Sequence, residues 1–280
     1  YQSGLSSFHK FRSQFNHDSV WPPPLTQVVD YVSYLSCIGQ AWSTARSYVS
    51  AISFHCKMQN LEDVTKNFVI VKLLEGMKRL RKPSDSRLPI TPALLSRILQ
   101  VLPSVCFNQY ESWLFKASYS LAFYGFFRIG ELALSTGKSI NSILQVSDIQ
   151  FDKDCTRILV HVRGSKTDQL GKGATLYIGQ VNNITCPVSN VGKFLSIRPK
   201  VQGPLLCHVN GQPLTRYQFS QVLDKVLKLV GVEGRYRAHS FRIGAATAAF
   251  EQGCLEEIIM EAGRWKSKSY KSYIRCPLST

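Results

Sequence analysis

The sequence predicts a mainly α-helical protein in two domains, the second of which holds a small antiparallel β-sheet. Three observations point there. Apolar residues recur at three- and four-residue steps through most of the chain, the period of a helix with one buried face. Arg157–Val162 and Ala174–Ile178 instead carry β-branched residues in alternation on either side of a turn at Gly164–Gly173, the pattern of a hairpin. The run Lys78-Arg79-Leu80-Arg81-Lys82-Pro83-Ser84-Asp85-Ser86 is charged and then turn-rich. It sets a boundary, with 1–82 as a helical first domain, 83–90 as a linker and 91–280 as the second domain. Hydrophobic residues make up 44% of the 280, enough for a core in each domain and too many for a disordered chain.

In the first domain, Leu5, Phe8, Phe11 and Phe15 mark an amphipathic helix, and Trp21-Pro22-Pro23-Pro24 punctuates the chain after it. A second helix runs from about Leu25 to Ile38 and ends near Gly39. A third covers Ser43–Met58, with Ala45, Tyr48, Val49, Ile52 and His55 on neighbouring faces and Ser43 or Thr44 as its cap. A fourth spans Asn67–Arg81. In the second domain, Thr91-Pro92 is a favourable start for a helix over Ala93–Leu102. Residues 111–135 read as one long, strongly apolar helical stretch. The hairpin comes next, followed by helices at about 187–196, 215–230, 239–252 and 255–262.

Charge gives the first functional direction. Lys and Arg number 34 against 18 Asp and Glu, a net charge of +16, and both parts are basic, +5 over residues 1–82 and +11 over 83–280. Such a chain is drawn to polyanions, nucleic acid or an acidic membrane surface, and two basic lobes suit a grip on one polyanion. The plainer alternative is a soluble cationic protein. No apolar run approaches the roughly 20 residues a membrane-spanning helix needs, and no signal-peptide pattern opens the chain. A start at Tyr1 is read as the start of a trimmed fragment. The eight cysteines (37, 56, 106, 155, 186, 207, 254 and 276) form no C-x-x-C and no zinc-finger spacing with histidine. They read as reduced thiols of an intracellular protein, with no structural metal expected.

Four features carry chemistry. Arg128 interrupts the apolar run Leu121–Leu132; a guanidinium there needs a partner or a charged ligand, and Glu131, three residues on, is placed to orient it. The plain reading is an internal ion pair. His239-Ser240-Phe241-Arg242 opens an apolar helix, so His239 and Arg242 share a face and could grip one phosphate, or simply cap and solvate a helix start. After Glu261 no acidic residue remains, and Arg264, Lys266, Lys268, Lys271 and Arg275 interleave with Trp265, Tyr270 and Tyr273, which suits nucleic acid or an ordinary cationic tail. Lys166, in the hairpin turn, is either solvated or able to reach a base edge or a leaving oxygen.

RIGEL at 128–132, a hairpin lysine at 166, HSFR at 239–242, GRW at 263–265 and SYIR at 272–275 follow one another in this order. Together they resemble the tyrosine recombinase (phage integrase) family, and GRWKSKSYKSYIR is most similar to the recombinases of DIRS-like retrotransposons and Cryptons. The resemblance covers nearly the whole chain. It implies a helical core-binding domain and a catalytic domain closing as a C-shaped clamp on double-stranded DNA, with multimerisation as a dimer or tetramer on DNA, no membrane, and a nuclear location.

By the same resemblance, Arg128 and Arg242 clamp the scissile phosphate and stabilise a pentavalent phosphorane. Lys166 protonates the departing 5′ oxygen, His239 bonds the phosphate and assists proton transfer, and Trp265 donates its indole N–H. Tyr273 attacks phosphorus to form a 3′-phosphotyrosyl link, with Glu131 in support. Tyr270, three residues earlier, is the competing nucleophile. Tyr273 lies eight residues after Trp265, one fewer than in many relatives. Arg46 and Lys57, on the helix expected in the major groove, and Arg264, Lys266 and Lys268 are the candidate DNA contacts.

A phosphotyrosyl link stores the energy of the broken bond, so neither metal, ATP nor another cofactor is expected. The sequence has no P-loop and no carboxylate cluster suited to two-metal catalysis. Seven residues follow Tyr273 and Pro277 opposes a continued helix, so the C-terminal segment that family members often pass to a neighbouring subunit is expected to be short or removed from this fragment. The rivals are an inactive, domesticated DNA-binding module and a type IB topoisomerase.

Overall fold

The computed structural model describes residues 1–80, 85–163 and 173–275, and the chain divides into two units, Tyr1–Asp85 and Ser86–Thr280. Lys166, the hairpin turn from Gly164 to Lys172, the start of the expected linker at Pro83 and Ser84, and Cys276 and Pro277 lie outside the described residues.

The first unit is built from α1 (Gln2–Gln14), α2 (Leu25–Cys37), α3 (Trp42–Met58) and α4 (Phe68–Leu80). Of the periodic residues read in the sequence, Phe8, Phe11, Ala45, Val49 and Ile52 are core and Phe15 is exposed; Phe8 and Phe11 join Val28, Tyr31, Val32 and Leu35, with Ile70 and Met77 completing the cluster. Arg12 is buried on α1 and donates to Gln27 Oε1 at 3.1 Å and to the Val20 carbonyl at 2.8 Å, tying the proline-rich connection to the first two helices. The expected cap of α3 is corrected. The extended backbone of Ala41 leads directly into Trp42, so Ser43 and Thr44 sit within the first turn, and no side chain caps the helix.

In the second unit, α5 (Pro92–Val105) starts as its sequence predicts, with Pro92 in the first turn and Thr91 Oγ1 accepting the Leu94 N–H at 3.2 Å. Helix α6 (Gln109–Tyr124) is followed by a four-residue α7 (Ile129–Leu132), then β1 (Ile149–Phe151), β2 (Arg157–Val162) and β3 (Ala174–Gly179), and then α8 (Pro187–Ile197), α9 (Arg216–Val230), α10 (His239–Glu251) and α11 (Glu256–Gly263). A 3₁₀ segment covers Lys268–Tyr273. The strands form one antiparallel sheet in the order β1-β2-β3, with Ile149 opposite Val160 and Arg157 opposite Gly179. The core gathers Leu95, Ile98, Leu99, Leu114, Phe219, Leu223 and Phe241 around Tyr119, whose ring stacks on Phe241 at 5.0 Å and whose hydroxyl donates to the Phe219 carbonyl.

One expectation fails here. Residues 111–135 are not a single helix: α6 ends at Tyr124 and the chain turns through Gly125–Arg128 before α7. Helix α6 is surrounded by core, with Leu114, Ala117, Tyr119, Leu121 and Phe123 all buried, so its apolar pattern runs on past its end and hides the break.

Helix α10 lies at the centre, buried from Ser240 to Thr247. It approaches the entering chain so closely that a Cβ on Gly244 would collide with the Ile90 carbonyl. The N–H groups of Leu88 and Ile90 donate to the Arg235 and Ser240 carbonyls, fixing that segment against the start of α10.

Candidate active site

Arg242 stands one turn into α10 and is 0% exposed. A buried guanidinium requires acceptors, and two main-chain carbonyls provide them: Nη1 donates to Phe126 and Nη2 to Gly263. Its carbon lies 4.2 Å from the Trp265 ring centre and 5.5 Å from that of Tyr273. Burial pushes this guanidinium down, to about 10, and the neighbouring Arg128 and Arg264 push the same way, while Tyr273 and Glu131 oppose them. It remains a cation at neutral pH, and its Nε has no hydrogen-bond partner among the described residues.

The carbonyl that receives Arg242 is aimed by an unusual turn. Phe126 has φ of +49°, a left-handed conformation that a bulky side chain adopts only under strain. Both Phe126 and Phe127 bury their rings, the first edge-on to Trp265 at 6.1 Å. Arg128 follows in an extended conformation at the cap position of α7, not inside a helix as its sequence context suggests. Its backbone N–H donates to Glu131 Oε2 at 2.9 Å and its Nη1 reaches Oε1 at 3.4 Å, so the expected Arg128–Glu131 pairing forms by a different route.

A second left-handed residue, Arg264 with φ of +56°, ends α11. Its Nη2 donates to Glu131 Oε2 at 2.7 Å and to the Phe126 carbonyl at 3.3 Å, and its guanidinium lies 5.0 Å from the Phe127 ring centre. Arg264, one of the candidate DNA contacts, has a side chain only 7% exposed. Burial lowers its pKa, with Glu131 opposing.

The two tyrosines separate cleanly. Tyr270 is 0% exposed, its ring 6.3 Å from Trp265, and burial together with nearby Glu256 pushes its phenol up to about 12. Tyr273 is half-buried at the pocket, with its ring centre 5.0 Å from His239 and 4.9 Å from Trp265. Thr247 holds it there: Thr247 Oγ1 donates to the Tyr273 carbonyl at 3.3 Å and accepts the Arg275 N–H at 3.0 Å. Sequence reasoning missed Thr247, although a single hydroxyl in the Gly244–Phe250 stretch of small and apolar residues was the available signal.

Arg128, Glu131, His239, Arg242, Trp265 and Tyr273 are thus drawn from distant parts of the second unit into one cluster of neighbouring side chains that holds more positive than negative charge. The profile of the phage integrase family matches residues 95–274, the interval that contains all six. The chain belongs to the phage integrase family.

The solved structures it resembles share the fold. They include a lambda integrase dimer bound to a COC′ core site (TM-score 0.64, 16% identity, 98% of this chain and 72% of that one). XerH site-specific recombinase bound to difH substrate matches with a TM-score of 0.64 at 14% identity, over 98% of this chain and 74% of that one. The Tn1549 transposon integrase with transposon right end DNA matches at 0.66 and 13% identity, over 99% and 89%. No curated protein sequence matches.

The other candidate residues of this integrase-family chain are not among those six. Lys266 and Lys268 are exposed beside it, between Trp265 and Tyr270. Arg46 and Lys57 lie on α3 in the first unit, where Arg46 sits 5.5 Å from the Trp42 ring centre and Lys57 Nζ lies 3.6 Å from Asp63. Among the described residues no His, Cys, Asp and Glu side chains cluster in a way that would hold a metal ion, and no helix is long and apolar enough to cross a membrane.

Proposed function

We propose that this chain cuts and rejoins double-stranded DNA through a 3′-phosphotyrosyl intermediate on Tyr273, as a site-specific recombinase of a mobile element. The observation that carries the reading is the seating of Tyr273: a half-buried residue whose ring packs among His239, Trp265 and Arg242, while Tyr270 is enclosed. The Tyr273 oxygen attacks phosphorus, the bond to the 5′ oxygen breaks, and Lys166 supplies the proton that oxygen needs. His239 assists the proton leaving the phenol. Arg128 and Arg242 meet the charge that grows on the non-bridging oxygens, where fixed cations in a water-poor pocket act most strongly. Resealing reverses these steps with a new 5′ hydroxyl, so the bond energy stays in the intermediate and no cofactor enters the scheme.

The wording of residues 263–275 supports a recombinase of the DIRS-like and Crypton kind, working in a nucleus. The basic character of both units supports a clamp on duplex DNA, with α3 and its Arg46 and Lys57 at the groove and Lys266 and Lys268 beside the cut. Copies of the chain would assemble on DNA as a dimer or tetramer to bring two sites together.

Covalent trapping tests this. The protein is incubated without metal with nicked duplexes that include candidate element ends, and SDS-resistant adducts are sought. The adduct should vanish in Tyr273→Phe and persist in Tyr270→Phe. An adduct that survives Tyr273→Phe, or DNA binding with no adduct on any duplex, overturns the reading in favour of another nucleophile or a binding module.

A further inference from the structure

Glu131 faces two guanidinium groups, and it does not treat them equally. Its Oε2 lies 2.7 Å from Arg264 Nη2, the distance of a charge-assisted hydrogen bond, while Oε1 stands 3.4 Å from Arg128 Nη1. The Arg264 side chain is 7% exposed and that of Arg128 is 22% exposed. The carboxylate's firm partner is therefore the interior arginine. Arg128 is bound to Glu131 mainly through its backbone N–H at 2.9 Å, which leaves its more exposed guanidinium the less firmly held of the two.

We infer that Arg264 is a positioning residue: by holding Glu131, it keeps the Arg128 guanidinium available to a phosphate. The inference rests on the reading of this pocket as a phosphoryl-transfer site. A buried carboxylate must have a cation. If Arg128 were its only one, a phosphate entering the pocket would have to displace Glu131 and strand it, and the two anions would compete. With Arg264 in place, Arg128 can turn to the phosphate while Glu131 stays paired. Arg264 also donates to the Phe126 carbonyl, the group that receives Arg242, so one side chain braces the supports of both phosphate-facing arginines.

The competition between the two anions sets the test. Arg264→Met should slow adduct formation about tenfold, less than the ~10²–10³ expected for a lost direct donor, while DNA affinity measured in a Tyr273→Phe background holds within about twofold. Adding Glu131→Gln removes the competing charge and should restore most of the rate, which relief of a mere folding defect would not do. Binding of inorganic phosphate, followed by calorimetry, should show the same loss and recovery without any cleavage. Should Arg264→Met fail to fold, Arg264→Lys retains a cation for Glu131 and should keep phosphate affinity within roughly threefold. Unchanged phosphate binding in Arg264→Met, a double variant no better than the single one, or a tenfold loss in Arg264→Lys overturns the inference. Absence of any adduct from the unaltered protein, with phosphate binding behaving as described, instead overturns the cleavage reading and leaves the role of Arg264 standing.

Discussion

Arg242 carries a charge where water does not reach; burial above all, and then two nearby arginines, depress its pKa to about 10. In the free protein that arrangement is unfavourable at neutral pH. The depressed pKa gives the sign: the penalty is fully present while the guanidinium is charged, and it is relieved only as pH rises through about 10 towards the unfolded value. An anion in the pocket should relieve it at neutral pH. Phosphate at a hundred times its dissociation constant should raise Tm by about 5–10 °C, from some 2.7 kcal/mol of binding linkage. The gain should largely disappear in Arg242→Met. A thermal melt with and without phosphate checks this, and equal gains in both proteins would remove Arg242 from the anion site. The same residue shows what was legible in advance: its type and place in HSFR marked it as chemical, but the carbonyls that hold it come from Phe126 and Gly263, 116 and 21 residues away. Such partners leave no periodic trace in a sequence.

The elements divide by how they meet solvent. Helices α2, α5 and α9 have one wet face, and their spans match the reading of residues 25–38, 93–102 and 215–230 within a few positions. Helix α6 has almost no wet face, and there the reading ran straight through Gly125–Arg128. Strand β1 is three residues long and too short to show alternation. The 3₁₀ segment Lys268–Tyr273 carries Tyr273 at its last position, and bonds between the Thr247 hydroxyl and the main chain of Tyr273 and Arg275 fasten its end to α10. Thr247→Val keeps the shape and removes the hydroxyl. It should slow adduct formation roughly 10- to 100-fold, because small misplacements of a reacting group have effects of that order, while lowering stability by only about 1 kcal/mol. Thr247→Ser should retain the rate. Single-turnover trapping beside a denaturant melt separates the two effects; a rate that merely tracks stability would make Thr247 a packing residue.

At the scale of the whole molecule, the +16 charge is spread over both units, so binding to duplex DNA should be dominated by release of counterions. If about 6–10 phosphates are neutralised, affinity should fall about 10³- to 10⁵-fold between 50 and 200 mM salt. Fluorescence anisotropy with a labelled duplex measures the slope, and a nearly flat response would argue against an extended phosphate grip. The two left-handed residues bear on the molecule as a whole in another way. Phe126 and Arg264 each hold a backbone shape that glycine would adopt without the ~1–3 kcal/mol of strain. Glycine would nevertheless delete the ring beside Trp265 or the cation beside Glu131. A glycine at either place would therefore relieve the backbone and dismantle the site at the same time. Each strained position therefore carries a side chain that the site uses and that folding alone does not require.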